Sequence, residues 1–341
     1  MFAQGGRHGT GRAATATTGP GWRPIRQGAP VQGGKAAPGD NGAMTPPRSN
    51  LAAAAWMLAA VACFSLMDTG MKLLSVHYPP IQVTLLRGAA SLPFVLVWVL
   101  YTAGPRSILP RRWGLHLLRG LLGVAMIGCF VFALRGMPLS TAYTIYFVAP
   151  LLVAALSVPL LGERVGPRRW TAIGIGLVGV VVVLRPGTDG LVSLPGLMVL
   201  LAATAYALAA VTVSLLTRTD TPQSMVVWFL AIMALAAGLA SIPGWVPLRW
   251  EHGWLIAGMG LAGALGQVAL TGAFMRGEAS LIAPLEYTGL VWVIGWDWLL
   301  WKTLPDAVTW AGAAIIMASG LYLLRRERVV RASRAAPLDH S

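Results

Sequence analysis

The chain reads as an all-α membrane protein of ten transmembrane helices arranged as two inverted five-helix repeats. Three observations predict this. Apolar residues make up 56% of the 341 residues and charged ones only 11%, too little polar surface to cover a soluble fold. Ten apolar stretches of crossing length follow one another between Leu51 and Leu324 with short loops between them. They fall into two groups of five with similar ends, and an odd number of crossings per group turns the second copy over relative to the first.

The first 50 residues are rich in Gly, Pro, Ala and Thr. They carry Arg7, Arg12, Arg23, Arg26, Lys35 and Arg48 against a single acid, Asp40, and show no apolar period, which predicts a disordered basic tail. No early apolar core precedes a cleavage site, so the first crossing is expected to act as its own insertion signal, and Met44 is an alternative start. The first repeat is expected over 51–187, with crossings near 51–74, 81–101, 114–134, 139–161 and 170–185. The second is expected over 193–326, with crossings near 195–216, 223–243, 253–275, 280–300 and 307–324, followed by a basic tail over 327–341.

The formal charge of +14 does not point to nucleic acid, because Lys and Arg gather in tails and short loops instead of on one folded face. Alternate loops hold Arg106, Arg111, Arg112, Arg164, Arg168, Arg169, Arg218 and Arg276, whereas the opposite loops hold only Arg135, Arg185, Arg249 and Lys302. The positive-inside bias therefore predicts a multi-pass protein of the cytoplasmic (inner) membrane with both termini cytoplasmic. Cys63 and Cys129 lie singly in apolar runs, so neither a disulfide framework nor a metal site is expected, and no cofactor is implied.

The repeat is visible at a shift of about 140 residues. Ala133-Leu134-Arg135-Gly136 falls on Phe274-Met275-Arg276-Gly277, Tyr146 on Tyr287 and Gly179 on Gly320, and Leu161-Gly162-Glu163-Arg164 faces Leu300-Trp301-Lys302-Thr303 after a small gap. The run Pro138-Leu139-Ser140-Thr141-Ala142, Phe147-Val148-Ala149-Pro150-Leu151, Leu161-Gly162-Glu163-Arg164-Val165-Gly166, Trp170 and Arg185-Pro186-Gly187 resembles the EamA repeat of the drug/metabolite transporter superfamily. Ala273-Phe274, Gly277-Glu278-Ala279, Pro284-Leu285-Glu286-Tyr287 and Ser319-Gly320-Leu321-Tyr322 are similar to the partner repeat. Trp301-Lys302 departs from the Gly-Glu usual in that family. The resemblance covers roughly 51–326 and implies ten helices around a central cavity and alternating access, with no particular substrate.

Ionisable residues inside the apolar runs are costly and mark candidate sites. Asp68 and Lys72 stand one helical turn apart and either pair with each other or line the cavity. Arg87 shares a face with Thr84 and Ser91 and either grips an anionic group of a solute or pairs with Asp68 or Glu286. Arg119 and His116 lie close to the cytoplasmic end of their crossing, where both can snorkel, and Glu163 reads as a turn residue. Glu286, beside Tyr287 and on one helical stripe with Val293 and Asp297, is a candidate for proton exchange, because desolvation disfavours a charge there; the structural alternative has it held ionised by Arg87 or Arg119. Tyr143, Tyr146, Phe147 and Pro150 share a face and, with Trp292, Trp296, Trp298 and Trp301, offer a wall for a ring, although Trp298 and Trp301 also suit an interfacial belt. Gly258, Ala262, Gly266, Gly174 and Gly179 offer small surfaces for close helix approach.

The expected solute-binding set is Asp68, Lys72, Arg87, Arg119, Tyr143, Tyr146, Glu286 and Tyr287, with Glu286 and Asp68 as coupling acids. The implied function is secondary active transport of a small organic metabolite, with proton coupling as one option, and the arrangement looks most like branches that take up S-adenosylmethionine or riboflavin. Export of amino acids or toxic compounds is the alternative within the class. A membrane enzyme lacks its motifs here, with no DDxxD, HExxH or Gly-rich phosphate loop, and a structural membrane subunit would leave the buried charges unexplained. Expected partners are the solute and the lipid bilayer, with no nucleic acid, and a homodimer is one assembly such a bundle can form.

Overall fold

The computed structural model describes residues 50–162, 166–185, 193–277 and 282–335. The described part is helical, as the expected class requires: in lipid every backbone N–H and C=O must be satisfied within its own segment. The helices are α1 (Asn50–Ser75), α2 (Pro80–Ala103), α3 (Trp113–Leu134), α4 (Leu139–Tyr146), α5 (Ala149–Leu161), α6 (Pro167–Leu184), α7 (Leu194–Leu216), α8 (Pro222–Ser241), α9 (Gly253–Arg276), α10 (Gly289–Trp301) and α11 (Ala307–Ala335). Prolines open α2, α6, α7 and α8 at N1 or N2, where a missing N–H costs nothing. Ser193 and Thr221 cap α7 and α8 by accepting from the Gly196 and Ser224 amides.

Among the described residues nine helical stretches are long and apolar enough to cross a membrane. The crossing expected over 280–300 takes another form: a 3₁₀ turn at Ala283–Thr288 runs into the 13-residue α10. Its partner in the first half is also broken. α4 stops at Tyr146 and α5 begins at Ala149, because Pro150 has no N–H to offer the Tyr146 carbonyl. Each half therefore contains one discontinuous crossing, and α5 and α10, both 13 residues long, lie 140 residues apart. Their ends match as well, since Gly162 (φ 70°) and Lys302 (φ 54°) both cap in the left-handed region. The structure thus sets Leu161 against Trp301, one residue away from the register expected from sequence.

Helix contacts come in pairs related by exchange of the halves. α1 packs on α9 as α7 packs on α3, and α2 packs on α9 as α8 packs on α3. α5 meets α7 as the 3₁₀ turn and α10 meet α1, while α2–α8 and α6–α11 are each their own counterpart. That is the contact pattern of a two-fold axis between antiparallel halves.

Close approach depends on glycines other than some of those expected. A Cβ at Gly260 would stand 2.5 Å from the Ala90 backbone, and one at Gly179 would stand 2.8 Å from Ile316, whereas Gly258 and Gly174 have nothing within 4 Å. Gly266 does face Phe64, as its helix position suggested. In α9 the expected face thus holds at Ala262, which is buried, and at Gly266 but not at Gly258, and Gly260, outside that set, is a further contact because α2 crosses there with its backbone against the helix.

Candidate functional site

The bundle has two polar ends and a polar middle. One end carries Asp297, the other Asp220. Between them, Asp68 on α1 is 9% exposed and its Oδ2 accepts a 2.5 Å hydrogen bond from the Tyr143 hydroxyl on α4. Arg87 on α2 lies within electrostatic reach of Asp68, Tyr143 and Tyr146. Its Nη1 meets the Met233 thioether at 3.9 Å, and its buried Nε has no partner among the described residues. A guanidinium so placed keeps donors free.

Six aromatic rings continue from this group. Tyr206 packs 5.7 Å from Tyr146, Tyr146 5.6 Å from Phe130, Phe130 6.2 Å from Tyr143, Tyr143 5.9 Å from Phe147 and Phe147 4.9 Å from Tyr287. The chain of rings begins and ends in the second half and passes through the first. Glu286 stands on the 3₁₀ turn in electrostatic contact with Tyr146, Tyr206 and Tyr287. Glu286 and Tyr206 keep exposed side chains. Arg119 sits beside Tyr206, stacks 4.7 Å from the Phe229 ring and donates to the Met225 carbonyl.

Several expectations change. Lys72 does not pair with Asp68: its Nζ lies 3.1 Å from Asp297 Oδ1 and 4.1 Å from the Trp301 ring, so it belongs to the end of the bundle. Among the described residues neither Arg87 nor Arg119 forms an ion pair with Glu286. Val293 and Asp297 share a wholly buried face, but Glu286 does not join their stripe, because the 3₁₀ turn advances more angle per residue than an α-helix and rotates it away. Tyr287 is 5% exposed and packs its hydroxyl against Gly320, where a Cβ would be 1.9 Å away, so it backs the ring chain. Trp301 covers Lys72 and Trp296 donates to the Ser65 hydroxyl at 3.1 Å, while Trp292 and Trp298 remain exposed. Glu163 lies outside the described residues.

Sequence reasoning missed Tyr206, Phe130 and Met233 at the site, and gave Asp297 no role of its own. Tyr206 is the one polar aromatic in the α7 run, which was the available signal. Phe130 and Met233 carry none, since each looks like any apolar residue of its helix.

At the other end, Asp220 accepts from the Arg111 amide at 2.7 Å and the Thr219 hydroxyl at 2.6 Å, and His116 Nε2 lies at 3.0 Å. Burial pushes this carboxyl up, but the Arg111 amide, Thr219 and His116 outweigh it and hold it at about 2. His116 is therefore a partner of an acid. Among the described residues no cluster of His, Cys, Asp and Glu has the arrangement of a metal site.

Two antiparallel five-helix sets, each with a broken crossing, around a polar and aromatic interior define a multi-pass membrane transporter. The sequence profile of the EamA-like transporter family matches residues 51–185 and 194–325, and the chain belongs to that family. It is 28% identical to a pseudopaline exporter of Pseudomonas aeruginosa over 78% of this chain and 93% of that protein. It is also 28% identical to a riboflavin transporter of Vibrio cholerae, over 81% of this chain and 94% of the relative. An S-adenosylmethionine uptake transporter of Rickettsia prowazekii is 26% identical over 82% of this chain and 94% of its own length. A protein of known crystal structure, 20% identical, superposes with a TM-score of 0.57 over 82% of this chain and 99% of its own, which shows a shared fold.

Proposed function

We propose that the chain is a secondary active transporter of the cytoplasmic membrane, moving a small organic solute by alternating access through the space between its halves. The solute carries an anionic group and a ring or cationic part. The observation that carries this reading is Arg87: a part-buried guanidinium whose buried Nε is unpaired among the described residues, near an Asp68 carboxylate that Tyr143 already engages, beside rings from both halves. A cation at this depth whose nearest acid is already engaged by Tyr143 has donors to spare, and a solute anion entering there would take them up. Asp68 supplies the opposite charge for a cationic group, and the rings supply a stacking wall.

Loop charges support an orientation with the Asp297 end outside and both termini inside. Glu286, accessible and without an ion-pair partner among the described residues, is the coupling acid of this reading, with Asp68 the second. S-adenosylmethionine, named for one relative, joins a carboxylate and cationic groups to a ring and suits the site; riboflavin, named for another, brings a ring without an anionic group. Export is the second reading, favoured by the relative named as a pseudopaline exporter.

Reconstitution into proteoliposomes tests it, with labelled S-adenosylmethionine and riboflavin and a metabolite panel preselected by thermal shift, since a ligand of the folded state raises its stability by mass action. Saturable, competable flux of one panel member supports the reading, and right-side-out against inverted vesicles tells uptake from export. No saturable flux above empty liposomes for any member would sink it.

A further inference from the structure

Asp297 has no exposed surface, and four donors meet its carboxylate. Lys72 Nζ and the Leu139 amide reach Oδ1, both at 3.1 Å, and the Ser140 amide and hydroxyl reach Oδ2, both at 2.7 Å. α4 has no cap of its own, because Pro138 precedes it. A side chain from α10 in the second half therefore caps a helix of the first half and at the same time pairs with a lysine on α1. One buried carboxylate holds three helices from both repeats.

Its position relates it to the site. Lys72 and Asp68 are one turn apart on α1, and Leu139 and Tyr143 are one turn apart on α4, so the Asp297 tie lies one turn, about 5 Å, nearer the bundle end than the Asp68–Tyr143 pair. On its other side is a pocket of about 340 Å³ lined by Lys72, Arg135, Met137, Pro138, Trp301 and Thr303 among others. The tie thus stands between that pocket and the polar middle. The two halves are not alike in this respect: with α5 and α10 offset by 140 residues, Asp297 stands where α5 has Ser157, whose hydroxyl donates to the Ala154 carbonyl of its own helix.

We propose that Asp297 is the gating residue of its end of the bundle, closing the path to the Asp68–Tyr143 site by tying α10 to α1 and α4. Release of the tie frees Lys72 to turn into the pocket beside Arg135. Two cations then face the entering solute, so its leading group is anionic. The proposal rests on the alternating-access reading above and names the group that controls one of its two states.

Spin labels at Val76 and Thr303, in the full chain reconstituted in nanodiscs without solute, report the distance across this end. The parent is expected to give one short distance. Asp297→Asn, which removes the charge and turns one acceptor into a donor, is expected to add a longer distance with a several-fold larger open population. Lys72→Met and Ser140→Ala, each removing one donor, are expected to shift the distribution the same way by less, and they carry the test if Asp297→Asn does not fold. Ser157→Ala is expected to match the parent. Unchanged distances in the Asp297, Lys72 and Ser140 variants, with only the melting temperature lowered, would overturn the proposal and leave a static brace. Because no solute is present, failure of the gate is read separately from failure of transport.

Discussion

The Tyr143 hydroxyl donates to Asp68 Oδ2 at 2.5 Å, so the carboxylate at the centre of the bundle is already partly satisfied without a cation. Arg87, close enough to feel that charge, is left with its Nε unpaired. This division of donors makes the guanidinium the group with spare capacity and the carboxylate the group with less. It also fixes α4 to α1 at the depth where α4 breaks.

Arg87→Lys is expected to weaken solute binding roughly tenfold while keeping the charge, because an ammonium cannot present two parallel donors to one anion. Isothermal titration or tracer binding to the purified variant measures it. Equal affinities for Arg and Lys would leave Arg87 as a structural cation.

Glu286→Gln is expected to retain solute exchange but lose accumulation driven by a pH gradient, since the amide keeps the shape of the acid and cannot take up a proton. Exchange and gradient-driven uptake are measured in the same proteoliposomes. A variant that concentrates solute like the parent would remove Glu286 from coupling and make Asp68 the next acid to test.

Gly260→Leu is expected to cost about 3 kcal/mol or more and to abolish the monodisperse folded protein, because even a Cβ there meets the Ala90 backbone at 2.5 Å and a backbone cannot swing aside. Gly174→Leu, with nothing within 4 Å, is expected to be tolerated. Size-exclusion profiles and melting temperatures in detergent compare the two. Similar behaviour would contradict the α2–α9 crossing.

Acid is expected to destabilise the Asp220 end in a defined window. The folded carboxyl is held at about 2 against an ordinary 3.8, so its contribution is present above the unfolded value and is lost as pH falls from about 4 through about 2. Asp220→Asn should flatten the acid limb of the melting temperature between those values. An unaltered limb would show that other groups set it.

Lys302 holds a left-handed backbone, φ 54°, at the place where α5 ends on Gly162. Lys302→Val is expected to lower stability by about 1 kcal/mol, because a β-branched side chain crowds the following carbonyl there, whereas Lys302→Gly is expected to be neutral or better. Thermal melts of the two variants check the order.

The sequence by itself determined the class, the inverted repeat and the crossings apart from the form of the one expected over 280–300. Bilayer thickness sets the length of each crossing, and the odd number per half is a count along the chain, so neither needs a neighbour. It also marked Asp68, Arg87, Tyr143, Tyr146 and Glu286, since an ionisable or hydroxyl group in an apolar run stands out in one dimension. Tertiary structure alone decided who meets whom. Lys72 is four residues from Asp68 and 225 from Asp297, yet it pairs with Asp297, because the fold offers it a wholly buried carboxylate already oriented by the α4 amides. Glu286 left the stripe it shares with Val293 and Asp297 because a 3₁₀ turn changed the angle per residue. Tyr206, Phe130 and Met233 reached the site through packing between halves, which local pattern does not encode: apolar periodicity tells which face is buried and not what is buried against it.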